Sequence, residues 1–141
     1  KNSNIIFEKT RNNIFLNNKS IFHEKIIDSH NLIKEFLPED GTGGFMVYDE
    51  GVPVCAGFMY RTNSKVVWCD WIISNFGYKN KQGRVIAIEL LINTIVELAG
   101  ESGNKFVYAL IKNKPLINAY TKLGFTEASS YTTEMIKKIW L

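Results

Sequence analysis

Three stretches with strand character, residues 44–49, 53–62 and 65–74, follow one another through the hairpin-length links Glu50-Gly51-Val52 and Asn63-Ser64, and this run restricts the fold more than any other feature. Successive side chains of a strand point to opposite faces, and short links of turn-forming residues return a strand antiparallel to its neighbour. An antiparallel meander is the expected product. Within the third stretch Val66, Trp68, Asp70 and Ile72 fall on one face, and Val67, Cys69, Trp71 and Ile73 on the other. Asp70 is the one acid in a strand that otherwise reads as buried, and a buried carboxylate needs a partner.

Past a polar link at residues 75–81 the apolar period changes to that of a helix. Val85, Ile88, Leu91, Ile92, Ile95, Leu98 and Ala99 share one side, Glu89, Asn93 and Glu97 the other, and Gly100 and Gly103 bracket the end. Residues 106–111 form a short continuous apolar run, which suits a strand covered on both faces. Residues 114–123 read as a second helix, with Pro115 in its first turn and Gly124 closing it, and residues 125–130 and 131–139 suit a terminal strand pair. Nearer the start, Ile5, Ile6 and Phe7 suit a short strand. Phe22, Ile26, Ile33, Phe36 and Leu37 recur at helical spacing over residues 20–37, a run that Pro38 and Glu39-Asp40-Gly41 end. His30 falls by the apolar side of that helix, where a hydrogen-bonded structural histidine is the usual occupant, and His23 faces solvent. The order implies an α+β fold: one mixed, mainly antiparallel central sheet flanked by helices, in a single domain over residues 1–141.

The chain carries 17 Lys and Arg against 14 Asp and Glu, and a formal charge of +3 is too small to make nucleic acid its main partner. Cys55 and Cys69 lie in apolar strand-like runs without CxxC or Cys/His spacing, so no metal site is expected, and two buried reduced thiols fit an intracellular protein. No apolar run approaches the ~18 residues of a membrane span, and the start lacks the apolar centre of a signal peptide. A cytoplasmic protein without a membrane partner is the expectation.

Chemistry enters at the junction of the third strand and the long helix. Gln82-Gly83-Arg84-Val85-Ile86-Ala87 places a run of backbone N–H groups at a helix N-terminus, where unpaired donors and the helix dipole favour an anion such as a pyrophosphate. A plain helix start explains the same residues. Aligned on Leu90-Leu91, the segment resembles the Gln/Arg-x-x-Gly-x-Gly/Ala signature with which the GNAT superfamily of N-acetyltransferases wraps the pyrophosphate of coenzyme A. Gln82 stands at the first position and Ala87 at the last, while Val85 replaces the middle glycine. A side chain there limits how closely the backbone approaches phosphate.

A second segment, Asn113-Lys114-Pro115-Leu116-Ile117-Asn118-Ala119-Tyr120-Thr121-Lys122-Leu123-Gly124-Phe125, resembles the family's closing motif, in which Asn precedes a helix that presents a Tyr and ends in Gly-Phe. Asn113 sits where an N-cap belongs, and Gly124 allows a left-handed exit. The resemblance implies acetyl-coenzyme A as cosubstrate and Tyr120 as the general acid that protonates the leaving thiolate. It adds Asn113 to the cofactor contacts, and it lays the pantetheine arm along the backbone of Ile72, Ile73 and Ser74 like an added strand. Asp70 lies near the place where several family members carry a Glu, which assigns it, through a water, the deprotonation of an amine. Its other reading is an acid paired with a backbone N–H, Arg61 or Arg84. Lys79, Lys81, Gln82 and Arg84 form a basic cluster suited to the 3′-phosphate of coenzyme A or to a solvated loop, and Trp68 and Trp71 suit either an acceptor pocket or the core.

The activity so implied is direct transfer of an acetyl group to a primary amine of a small molecule or peptide, and a homodimer is compatible with it. The compact size, Val85 and the link at residues 75–81 are also similar to small acetyltransferase-like proteins of bacteriophages. Two other readings stay open: a catalytically impaired binding protein on the same fold, which Val85 favours, and a nucleic-acid-associated domain using the basic loop.

Overall fold

The computed structural model describes residues 5–10, 44–128, 133, 135–137 and 139. The helix expected over residues 20–37, with His23 and His30, lies outside them. Among the described residues five strands form one sheet in the order β1-β2-β3-β4-β5: β1 (Ile5–Thr10), β2 (Gly44–Asp49), β3 (Val52–Arg61), β4 (Val66–Ser74) and β5 (Phe106–Tyr108). β2, β3 and β4 run antiparallel as their short links require, β1 pairs antiparallel with β2, and β5 joins β4 in parallel after a crossover through helix α1 (Lys81–Glu101). Helix α2 (Lys114–Lys122) follows β5.

One face of the sheet receives α1. Ala87, Leu91, Ile92, Ile95 and Ala99, buried at helical spacing, pack with Phe45, Val47, Cys55, Met59, Val67 and Cys69. Val85, expected on this side, is instead 51% exposed. It lies one turn from the N-cap Asn80, before the helix reaches the apolar face. On the opposite face Met46, Ala56 and Phe58 are fully buried. At its far end α1 stops as its glycines demand. Gly103 takes φ +88, its N–H donates to the Gly100 carbonyl and that of Asn104 to Ala99, the paired bonds of a Schellman cap. No helix among the described residues is long and apolar enough to cross a membrane.

Two further expectations are corrected. Strict alternation along β4 fails after Asp70, because Phe58 pairs with Asp70 but Ala56 with Ile73, leaving Trp71 and Ile72 both opposite Gly57. This β-bulge moves Ile72 to the α1 side with Cys69, where its Cδ1 lies 2.5 Å from the position a Cβ on Gly57 would take. The terminal strand pair is also absent where it is described: residues 125–128 form no strand, nor do 133, 135–137 and 139. Phe125 belongs to the end of α2 instead. Its N–H donates to the Tyr120 carbonyl, and its ring meets the Tyr120 ring edge-on at 4.8 Å. The rest of that pair lies outside the described residues.

Candidate active site

Parallel pairing between β4 and β5 lasts three rungs, Val66 with Phe106, Val67 with Val107 and Trp68 with Tyr108, and then stops. From Cys69 to Ser74, β4 keeps β3 on one side and has no strand on the other among the described residues. The sheet therefore opens into a fork. The bulge sits inside it: Trp71 holds φ +56, a left-handed conformation that costs a bulky side chain about 1–2 kcal/mol. Asp70 offsets part of that cost, since its Oδ1 accepts the Trp71 N–H at 2.8 Å. Of its two expected roles, the pairing with a backbone N–H is present. Arg61 and Arg84 serve elsewhere, on the Ser102 hydroxyl and the Tyr78 carbonyl. Ile72, Ile73 and Ser74 lie on the open edge.

At the apex of the fork stands Tyr120. Helix α2 begins at Asn113, whose Oδ1 accepts the Leu116 N–H at 2.9 Å, so the N-cap role is met by its side chain. The helix ends in a second Schellman cap, with Gly124 at φ +98, its N–H on the Thr121 carbonyl and the Phe125 N–H on that of Tyr120. The spacing Tyr-x-x-x-Gly-Phe thus has a mechanical meaning: the residue after the glycine clamps the tyrosine three places before the cap. Held so, Tyr120 is 3% exposed and its hydroxyl lies 3.2 Å from Sγ of Cys69, the first β4 residue beyond the last paired rung. Burial above all, then Cys69 and its hydrogen bond, then Asp70, push the phenol well above its ordinary pKa. Burial likewise raises the Cys69 thiol to about 11, against a lowering by its Tyr120 bond. Both are neutral at physiological pH.

The start of α1 differs from the expectation of open amides at residues 83–87. Asn80 is the N-cap; its Oδ1 accepts the Gly83 N–H at 3.0 Å and its carbonyl accepts that of Arg84. Val85, Ile86 and Ala87 lie a full turn inside the helix, where their N–H groups bond to the carbonyls four residues back. Gly83 itself is buried, and a Cβ there would fall on the Tyr78 hydroxyl. That hydroxyl donates to Asp49 Oδ2 at 2.6 Å, and the bond raises its pKa to about 12. Upstream, Asn75 braces the loop by donating to the Pro53 carbonyl and accepting from the Gly77 N–H, both at 2.8 Å. Gln82, Lys79 and Lys81 remain exposed around this start, whereas Arg84 is half-buried and turned onto the loop.

The structure brings Asp70, Tyr120 and the β4 edge together at the fork and leaves residues 82–87 as a capped helix start. Sequence reasoning did not single out Cys69 as the partner of Tyr120, nor Tyr78 as the reason for Gly83. Alternation on β4 places Cys69 toward the helices, but nothing local to Tyr78 points to a glycine five residues on.

No family model matches the sequence, and no curated protein matches it. Solved structures do match in fold. The chain superposes with a TM-score of 0.66 on N-acetylglutamate synthase from Neisseria gonorrhoeae complexed with coenzyme A and N-acetyl-glutamate, at 11% identity over 92% of this chain and 30% of that one. It spans under a third of that synthase's length. Aminoglycoside N-acetyltransferase AAC(6′)-Iy with a bisubstrate analogue matches at TM-score 0.65 and 12% identity, over 96% and 100% of the two chains. A ribosomal-protein-alanine N-acetyltransferase from Brucella melitensis matches at 0.64 and 12%, over 95% and 99%.

Proposed function

From the premise that this chain has the GNAT N-acyltransferase fold, we propose that it transfers an acetyl group from acetyl-coenzyme A to a primary amine by direct attack. The observation that carries the reading is the fork. A strand edge freed by three-rung pairing lies beside a buried phenol at the apex, and two proteins with this fold, N-acetylglutamate synthase and aminoglycoside N-acetyltransferase AAC(6′)-Iy, were solved with coenzyme A or a coenzyme A bisubstrate analogue. The free edge of β4 at Ile72, Ile73 and Ser74 fits an extended pantetheine arm as an added strand. For the diphosphate, the fit at residues 83–87 is poor because their amides are engaged. Amides of Lys81 and Gln82 in the first turn, with the side chains of Lys79, Lys81 and Gln82, are the better donors.

When bound, acetyl-coenzyme A supplies an activated acyl carbonyl and a thiolate leaving group. Tyr120 meets the leaving sulfur with its O–H. Burial raises the phenol well above its ordinary value and raises a thiol in the same surroundings too, as at Cys69, so the proton stays on the phenol until negative charge develops on the sulfur. Tyr120 therefore acts chiefly as a hydrogen-bond donor to the developing thiolate, with the proton following as water enters. Asp70, fixed against the Trp71 amide, holds a carboxylate near the attacking amine and takes its proton through a water. The chain works as one cytoplasmic domain.

The engaged amides favour one other reading, a binding protein that keeps the fold and has lost catalysis. Calorimetry with coenzyme A and an acetyl-transfer assay on a panel of amines separate the two. The enzyme binds at micromolar concentration and turns over, and Tyr120→Phe lowers kcat about 10²-fold or more with coenzyme A affinity retained. Binding without turnover on any amine supports the binding protein.

A further inference from the structure

The sheet face turned away from α1 holds polar groups that the reaction above does not use. Register places Phe58 opposite Asp70 and Tyr60 opposite Trp68, so all four side chains share that face, and Tyr108 joins them through its rung with Trp68. The rings of Trp68 and Tyr108 meet edge-on at 4.7 Å. Among them the Tyr60 hydroxyl is buried and has no hydrogen-bond partner among the described residues. An unsatisfied buried phenol destabilises the fold, a cost that a phenylalanine would avoid. Phe58, two residues earlier on the same face, shows that an unadorned ring is accommodated there.

We propose that Tyr60 recognises the amine acceptor, and that the acceptor is a cationic primary alkylamine rather than a neutral arylamine. This rests on the acetyl-transfer reading. The chemistry of the face selects the charge. An alkylammonium brings only donors, and the Tyr60 oxygen has lone pairs to accept one. Asp70, one diagonal step away across the β3–β4 pair, contributes negative charge to the same face, and its effect reaches Tyr60, whose phenol is raised first by burial and then by Asp70. Electron-rich faces of Trp68 and Tyr108 favour an ammonium further. A carboxylate beside the amino group meets repulsion from Asp70. Position agrees with the reaction: Tyr120 and Cys69 lie on the α1 side of the fork and Tyr60 on the other, so an amine held by Tyr60 approaches a thioester in the fork from the side opposite the phenol that meets the leaving sulfur. Tyr60 is a specificity residue; it moves no proton.

The test is calorimetric titration of tyramine and of 1,4-diaminobutane, with aniline as the neutral control, into the coenzyme A-bound protein and its Tyr60→Phe variant, alongside KM and kcat for acetyl transfer. Both alkylamines are expected to bind and aniline not to. Tyr60→Phe is expected to weaken alkylamine binding about tenfold and raise acceptor KM equally, with kcat within twofold, coenzyme A affinity unchanged and the melting temperature unchanged or higher. Equal alkylamine affinity in the two proteins, tighter binding of aniline, or no alkylamine binding to the wild type overturns the inference. Failure of acetyl transfer with Tyr60-dependent alkylamine binding intact would overturn the enzyme reading alone.

Discussion

Gly83→Ala asks whether this glycine serves a phosphate or the protein. A Cβ at position 83 would fall on the Tyr78 hydroxyl, 3.1 Å from Cζ of the same ring and 3.2 Å from Asn80 Cγ. The ring has to move, and moving it breaks the 2.6 Å hydrogen bond to Asp49. A bond to a charged acceptor contributes about 1.5–3 kcal/mol, and overpacking strain adds about 1–3 kcal/mol where the neighbours cannot clear. Alanine regains up to roughly 1 kcal/mol of helix propensity. The expected net loss is about 2–4 kcal/mol, read as a lower urea midpoint at unchanged m. In a Tyr78→Phe background the obstructing oxygen and its bond are already gone, so the same Gly83→Ala change should cost about 1 kcal/mol or less, and the double-mutant cycle should show coupling of at least about 1 kcal/mol. A neutral Gly83→Ala, or an equal cost in both backgrounds, refutes the packing argument and returns the glycine to a ligand.

Two further outcomes follow from the caps and the phenols. Asn113→Ala removes the acceptor of the Leu116 N–H and should cost about 1 kcal/mol of stability, measured by chemical denaturation; because α2 carries Tyr120, kcat should fall more than coenzyme A affinity. The Tyr78 phenol is raised to about 12 chiefly by its bond to Asp49, so in the folded state it keeps a proton that the unfolded chain releases near pH 10. Its contribution is then complete below pH ~10 and lost as pH rises toward about 12, and Tyr78→Phe should show a shallower decline of melting temperature over that interval.

The meander, the long helix, the caps at Asn113, Gly103 and Gly124, and the position of Tyr120 after the fifth strand were legible in the residues. Each rests on local chemistry: alternation, helical period, a side chain that accepts an orphan N–H, a glycine at positive φ. What was not legible depends on register. A link of Asn63 and Ser64 alone would pair Tyr60 with Val67, but Thr62 Oγ1 bonds to the Val66 carbonyl and Ser64 hydroxyl, β3 ends at Arg61, and Tyr60 pairs with Trp68. That one-residue shift sets which side chains share a face with Asp70. The bulge at Trp71 and Ile72 likewise has no local signature, for it answers to Gly57 across the strand pair. Gly83 lay in a segment read as a run of amides for an anion, and sequence shows only that a Cβ is missing there. The tertiary structure alone reveals that the space is taken by Tyr78, held there by an aspartate from another strand.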